Sequence, residues 1–357
     1  MSARTAGSIA FVGGLLILAV GLIVQFVVAP AQAQFPDDVD RTRNYEGELH
    51  VLLDPEALAT ENFADVLVRD VPVTIDRSIQ TLEVDGRRAL VYDGSVVSGP
   101  TGPILASEDV YAIDRKTMEH VENFTDDARV IDRDGLVVGF PIGTDADEYA
   151  GFNGDTLTTN TISFLREEEH QGLNTYVFSA ASGPDPITDP VVLATLPSEL
   201  PKAAVENLVP ALDLSDEARA GLAEVLPTLP DPIPLAYTYT YETTYWVEPD
   251  SGVLVDYNKV ESRGVAIDLG EQAIPVGEVM NLEYAQTAAS VDDAVDDAND
   301  ARSRLFWQGR VLPYGLIGIG ALVALLGLLI LQRRRTDTVP ADRPLDPTPP
   351  ADVSSVS

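Results

Sequence analysis

Two uncharged apolar runs constrain this chain more than any other feature: Ile9 to Ala29 and Val311 to Leu331, each of 21 residues. At about 1.5 Å rise per residue, either run as a helix reaches roughly 30 Å, the thickness of a bilayer's hydrocarbon core. Lipid offers backbone amides no partner, so a spanning segment of this length has to be helical. The first run also has a reading as a signal peptide. Arg4 makes a short basic start, and Ala31-Gln32-Ala33 resembles a cleavage site that would leave a mature start near Gln34. The run exceeds the usual h-region of about 7–15 residues, which favours an uncleaved anchor.

Arg333, Arg334 and Arg335 abut the second run and Arg4 precedes the first. The positive-inside rule then puts both termini in the cytoplasm and the segment between the spans outside it. Arg302, Arg304 and Arg310, on the other flank of the second run, weigh against this, and Trp307 and Tyr314 fit an interfacial belt. The expected organisation is a short cytoplasmic N-terminus (1–8), a first span (9–29), an extracytoplasmic β-rich domain (30–289) with a Pro-rich, partly helical insertion (184–234), a helical stalk (290–310), a second span (311–331) and a disordered cytoplasmic tail (332–357). The expected location is a two-pass protein of the cell membrane.

Composition matters mainly through charge. The chain holds 57 Asp and Glu against 23 Lys and Arg, a formal charge of -34. Such a surface repels phosphate backbones, so a nucleic-acid partner is not expected. The termini are nearly neutral, so the segment between the spans carries almost all of this charge. It has Lys116, Lys202 and Lys259 as its only lysines. A dense acidic surface poor in lysine suits high salt, which screens self-repulsion, and points to a halophile's protein. The absence of cysteine excludes disulfides, thiolate metal sites and cysteine nucleophiles.

The central segment reads as strands: Asn44–Leu53, Val71–Ile79, Gln80–Tyr92 with a turn at Asp85-Gly86, Val110–Ile113, Arg129–Val138, Thr159–Arg166, Asn174–Ala180, Leu235–Val247, Val253–Ser262, Val265–Leu269 and Val279–Gln286. Val, Thr and Tyr dominate these runs, and Gly, Asp and Pro separate them. The fold class is therefore mainly β, in an α+β arrangement of antiparallel, curved or half-barrel sheets. Ser215 is a candidate cap for a helix ending before Pro227, and Val291, Val295, Ala298 and Leu305 recur at helical spacing through the stalk. Two stretches share a pattern of aromatic strand, acidic turn and apolar return: Tyr111 to Val121 and Tyr245 to Val255. They read equally as two related β modules or as generic hairpins.

Tyr245-Trp246-Val247-Glu248-Pro249-Asp250-Ser251-Gly252, framed by two spans around a β-rich body, resembles the PorA family (domain of unknown function 3068) of membrane proteins. Tyr111-Ala112-Ile113-Asp114-Arg115, Gly139-Phe140-Pro141-Ile142, and Glu167-Glu168-Glu169 before Gly172 to Phe178 are further points of similarity. The resemblance covers about residues 9 to 331 and implies a membrane protein without established catalytic residues. Its hairpin residues are Tyr245, Trp246, Val247, Glu248, Pro249 and Gly252. That hairpin is also similar to one in lipoprotein carriers of the LolA type, which implies a curved sheet around an apolar cavity.

No catalytic, cofactor or metal residues stand out. There is no phosphate-binding loop of the P-loop type and no GxSxG elbow. His50, His120 and His170 are far apart in sequence. Asp132-Arg133-Asp134-Gly135 starts like a calcium loop but lacks the later ligands, and Asp145, Asp147, Glu148 and nearby Asp155 read as solvated charge. Asn123-Phe124-Thr125 is a sequon, making Asn123 a candidate glycosylation site. The leading expectation is a non-enzymatic, envelope-associated binding or structural protein holding an apolar or lipid ligand against Thr159–Phe178 and Leu235–Ser262. Its partners would be the bilayer and, through Gly13, Gly14, Gly21, Gly318, Gly320 and Gly327, further copies of the chain. The alternatives are an oligomeric porin or transport component and an extracytoplasmic hydrolase.

Overall fold

The computed structural model describes residues 3–333 except 213 and 271–272. The tail expected over 332–357 therefore falls, beyond Arg333, outside the described residues, as do Arg334 and Arg335. The chain divides into two compact units, residues 33–305 and residues 1–32 with 306–357.

The second of these units holds the apolar helices. Helix α1 (Ala3–Ile23) continues through a π-helical turn (Val24–Val28) into α2 (Ala29–Gln32), and a second π-helical turn (Trp307–Val311) leads into α8 (Leu312–Arg333). Two helical stretches, Thr5–Gln32 and Ala288–Gln332, are long and apolar enough to cross a membrane. Helices α1 and α8 pack antiparallel through glycines seven residues apart. A Cβ on Gly14 would lie 2.2 Å from the Ala324 nitrogen, and one on Gly320 would lie 2.4 Å from the Leu18 nitrogen. Gly21 and Gly327 are as crowded, with the Ile317 nitrogen at 2.8 Å and the Phe11 nitrogen at 2.4 Å. These four glycines, expected to bring copies together, are used within one chain, whereas Gly13 and Gly318 face open space.

The larger unit is a curled antiparallel sheet. Its strands are β1 (Asp40–Leu53), β2 (Leu67–Asp85), β3 (Arg88–Gly99), β4 (Gly102–Asp114), β5 (Tyr149–Asn153), β6 (Thr158–His170), β7 (Leu173–Pro186), β8 (Glu199–Leu200), β9 (Ile233–Glu248), β10 (Val253–Asp268) and β11 (Ala273–Gln286). They run β4-β3-β2-β1-β11-β10-β9-β7-β6-β5, with β8 added beside β9. The β1–β11 pairing joins the first strand to the last, a long-range contact that no local pattern announces.

Arg129–Val138, expected as a strand, is instead a strap between the two edge strands. Val130 bridges Val110 on β4, and Leu136 bridges Gly151 on β5, both in parallel sense. Leu136 donates to the Ala150 carbonyl at 2.7 Å, and Ile131 donates to the Val110 carbonyl at 3.0 Å. Under the strap, Ala89, Val91 and Ile113 from one half of the sheet share a buried cluster with Ile162, Phe178 and Val247 from the other. Each strand alone exposes an apolar face, and curling the sheet on itself is what removes both faces from water.

Within residues 184–234, expected as a Pro-rich, partly helical insertion, α4 (Pro190–Ala194), α5 (Lys202–Leu208), α6 (Asp216–Val225) and a 3₁₀ turn (Leu226–Thr228) form a packed cap. Ser215 Oγ accepts from the Ala218 amide at 3.1 Å, as an N-cap does. Val205, Leu222, Leu226 and Leu229 bury against Ile233, Tyr237, Ile267 and Val276 at one end of the sheet. A short helix, α3 (Pro55–Ala59), is capped by Asp54. The stalk begins at Ala288 as α7 (Ala288–Phe306), and its N-terminal part is no free rod: Val291, Ala294 and Ala298 are buried. Asp297 accepts from Arg43 at 2.5 Å, and Ser290 Oγ accepts from the Asn44 amide at 2.8 Å.

Of the two similar stretches, only the second is a full hairpin, pairing β9 with β10; in the first, a single bridge joins Ile113 to His120. The β9–β10 turn uses Glu248 as its staple. This carboxylate is 3% exposed, accepts from the Ser251 amide at 2.9 Å and hydroxyl at 2.6 Å, and faces Arg302 of α7 at 3.3 Å. Gly252 has φ +71°, and a Cβ there would meet the Pro141 carbonyl oxygen at 2.5 Å. Gly252→Ala is therefore expected to lower stability by about 1–3 kcal/mol, read as a lower thermal midpoint of the full chain in detergent. An unchanged midpoint would show that the turn relaxes freely.

Candidate functional site

Side chains alternate across a strand, so one parity of each strand faces the hollow of the curled sheet. Tyr239, Tyr241, Thr243 and Tyr245 of β9, Tyr257, Lys259 and Glu261 of β10, Tyr284 of β11, Tyr45 of β1, Arg77 of β2, Asp93 of β3, and Asp109 and Tyr111 of β4 all face one cavity of about 280 Å³. The turn from Gly151 to Asp155 and strap residues Leu136 and Val137 complete its wall. Seven tyrosines line it, more than half of the chain's 12, so the lining is aromatic and hydroxylated. This lining, which also includes Ile75, Val97, Ile162 and Leu282, is more polar than the apolar strand faces expected. The alternation in Leu235–Ser262 is real, but its inward residues are tyrosines, a threonine, a lysine and a glutamate.

The charges are arranged in pairs. Arg77 forks onto Asp93, Nε to Oδ1 at 2.9 Å and Nη2 to Oδ2 at 2.6 Å, and also donates to the Val137 carbonyl at 3.2 Å. Lys259 Nζ lies 2.8 Å from Glu261, with the Tyr239 and Tyr241 ring centroids at 5.5 and 5.6 Å. Tyr239 donates to Glu261 as well. Arg263 Nη2 reaches Asp155 at 2.7 Å. Burial disfavours the charged form of Lys259, but the Glu261 carboxylate beside it outweighs this and holds it charged. Burial also raises the Tyr239, Tyr245 and Tyr284 hydroxyls, which therefore stay protonated as donors.

Two groups are left over. Asp109 lacks a basic ion-pair partner among the described residues, and burial, reinforced by Asp93, pushes its carboxyl from the usual 3.8 to about 6. Asn153 is 6% exposed; its Oδ1 accepts from the Asp155 amide at 3.0 Å, which turns the side chain, while its Nδ2 has no protein acceptor.

The raised Asp109 carboxyl sets a sign for pH dependence. A folded-state pKa above the unfolded one gives stability that is complete below about pH 4 and is lost as pH rises through 6. Asp109→Asn should therefore match the parent chain near pH 4 and exceed it above pH 6, read from urea midpoints across that range. A parent chain that stayed ahead at pH 7 would refute the burial argument.

The residues singled out by sequence fall elsewhere. Apart from Tyr245, the hairpin group of Trp246, Val247, Glu248, Pro249 and Gly252 does not line the cavity, and it docks on another quoted motif. The Thr144 amide donates to the Pro249 carbonyl at 2.8 Å, and Phe140 stacks on Phe178 with ring centroids 4.9 Å apart. Trp246 Nε1 donates to Glu168 at 2.5 Å, and its ring stacks on His170, which meets Asp256 at 2.9 Å. Arg115 is buried and donates to the Phe35 carbonyl at 2.7 Å. These motifs hold the fold together.

Asn123 is exposed in a tight turn, its Oδ1 accepting from the Thr125 amide at 2.9 Å and its Nδ2 donating to the Asp127 carbonyl at 2.9 Å. Asp132 pairs with His120 at 2.8 Å, and Tyr149 ties back to Asp145 at 2.8 Å. Neither acidic loop gathers three ligand atoms, whereas Asp155 belongs to the cavity. The cavity tyrosines could have been found from the Tyr-Thr-Tyr-Thr-Tyr run at 237–241, whose strict alternation aims one polar-tipped aromatic after another at the same side.

A family model described as Porin PorA matches residues 6–329. A protein described as Porin PorA from Corynebacterium resistens is 26% identical over 240 residues, covering 57% of this chain and 58% of that relative. The match thus spans less than two thirds of the relative's length. Among solved structures, an acyl-CoA thioesterase II, TesB2, from Mycobacterium marinum aligns with 76% of this chain and 90% of its own at 10% identity and a TM-score of 0.13, a likeness too low to carry an argument.

Proposed function

This chain belongs to the Porin PorA family, and on that premise we propose that it is a non-enzymatic membrane-anchored envelope protein whose β domain, outside the cytoplasm, binds a small polar solute. Asn153 carries the reading: a buried amide nitrogen without a protein acceptor, in the wall of an aromatic, ion-paired cavity. Buried donors are ordinarily satisfied, and an unsatisfied one costs about 1–3 kcal/mol unless a ligand or water accepts from it. Every basic side chain facing the cavity is already paired, so a strongly anionic solute gains nothing there. A neutral solute with acceptors for Asn153 and the tyrosine hydroxyls, and a donor for Asp109, matches the lining.

Two apolar helices and arginines beyond the outer ends of both spans support anchoring with cytoplasmic termini. Protease added to intact cells should digest the β domain and spare the tail; the reverse would overturn the orientation. Native mass spectrometry of full-length protein from detergent should show a small adduct that Asn153→Leu lowers at least tenfold. Identical spectra with no adduct in either protein would defeat the binding reading.

The family's description favours a second reading, a pore. Within one chain α1 and α8 meet backbone to backbone, leaving no water path between them, so conduction would require several chains. Discrete conductance steps in planar bilayers that persist after dilution would establish that role in place of solute binding.

A further inference from the structure

On the face of the sheet opposite the cavity, strand β1 is irregular at one residue. Leu49 pairs with Leu282 and Val51 with Asn281, so His50 is the extra residue of a bulge against β11. On the other side it stands across from Asp70 of β2, between the pairs Leu49–Val71 and Val51–Arg69. Bulges re-aim side chains, and this one aims an imidazole into a ring of carboxylates. His50 Nδ1 is 3.8 Å from Asp70, and Nε2 is 3.7 Å from Glu283. Glu48 completes the group: single ligand atoms of Glu48, His50 and Asp70 lie within 4.8 Å of one another.

Two observations point beyond solvated charge. The first is spacing. His50 Nδ1 and Asp70, 3.8 Å apart, are too far for a hydrogen bond, but two donors on a common ion, each about 2.0–2.2 Å from it, sit roughly 3–4 Å apart. The second is register. Glu48 and Glu283 are direct cross-strand partners, a like-charge placement that weakens a sheet. A single histidine, even protonated, offsets one of the three carboxylates around it; a divalent ion held by the neutral imidazole offsets two. Glu283 lies 3.7 Å from Nε2, on the side of the ring away from Asp70, where a carboxylate stands behind many metal-bound histidines.

We propose that Glu48, His50 and Asp70 form a binding site for a divalent first-row transition cation, one imidazole nitrogen and two carboxylate oxygens being completed by water. One nitrogen with two oxygens suits ions such as Zn²⁺, Co²⁺ or Mn²⁺ better than Mg²⁺ or Ca²⁺, which prefer oxygen alone. The site sits apart from the cavity and does not depend on solute binding. The sequence shows Glu48 and His50 two apart but gives no hint of Asp70, which only strand pairing brings beside them.

The test uses full-length protein in detergent, stripped of metal and titrated with Co²⁺ by visible absorption and calorimetry. One equivalent should bind, with His50→Gln and Asp70→Asn each weakening it at least tenfold and His120→Gln leaving it unchanged. Thermal midpoints establish that the variants fold. In the unaltered chain, low Mn²⁺ should broaden one of the three histidine ring proton signals first. Equal Co²⁺ affinity in His50→Gln, displacement by equimolar Mg²⁺, or uniform broadening of all three histidines would each overturn the site and leave only diffuse attraction to an acidic surface.

Discussion

Replacing Arg77 with methionine is expected to cost about 3–5 kcal/mol of stability, because it strands the Asp93 carboxylate in the cavity wall without its partner. The two side chains are 24% and 14% exposed, and the fork between them is bidentate. Asp109, opposite Asp93 in the β3–β4 register, would then add its repulsion to an uncompensated charge. For a domain of this size the loss corresponds to a fall of roughly 10 °C or more in thermal midpoint, measured by circular dichroism of the full chain in detergent. Removing both charges, Arg77→Met with Asp93→Leu, should recover most of it, since the pair's net worth is far smaller than the cost of breaking it. A single-variant loss under 1 kcal/mol would mean that water reaches Asp93 freely and that its place in the cavity wall costs little.

The second large effect belongs to the apolar helices. Gly14→Leu places a branched side chain where even a Cβ would overlap the Ala324 backbone. The helices cannot then keep their glycine contact and should move toward the roughly 8–10 Å axial separation of ordinary side-chain packing. In lipid, where close packing takes the place of a hydrophobic driving force, that separation also removes most of the attraction between them. The chain has no cysteine, so spin labels at Val12 and Leu322, both exposed on this pair, report the distance without background. Gly14→Leu and Gly320→Leu should each lengthen it, and Gly13→Leu, whose Cβ meets nothing within 4 Å, should not. Equal distances in all three would show that the glycines do not set the contact.

Local chemistry explains what could be read beforehand. The apolar runs, the Asp85-Gly86 turn, the Ser215 cap and the Pro249–Gly252 hairpin each depend on residues within about a turn of one another, and each stands where its residues imply. Val253–Ser262 and Val265–Leu269 merge into one strand, because bulges beside Gly264 absorb the break between them. What escaped were features made by distant segments. Arg77 meets Asp93 across 16 residues and His50 meets Asp70 across 20, but Arg263 meets Asp155 across 108, and no spacing rule connects them. The strap at 130–136 misled for a related reason: its apolar residues serve an edge-to-edge closure, so they look like a strand while pairing at only two points. The cavity's polarity was missed because inward-facing tyrosines count as apolar in an alternation pattern, although their hydroxyls decide what the site can hold.

That strap has a further consequence for a protein of this architecture. An open antiparallel sheet presents bare amides and carbonyls along its first and last strands, and copies crowded in the plane of a membrane could add to them without limit. Here one short stretch of chain engages both margins at once, through Val110 on one side and Gly151 on the other. A neighbouring molecule would have to peel it away before it could pair at Val110 or Gly151. Fibril growth and domain exchange are thus discouraged by a single ligature, and a cut within it should release both hazards together.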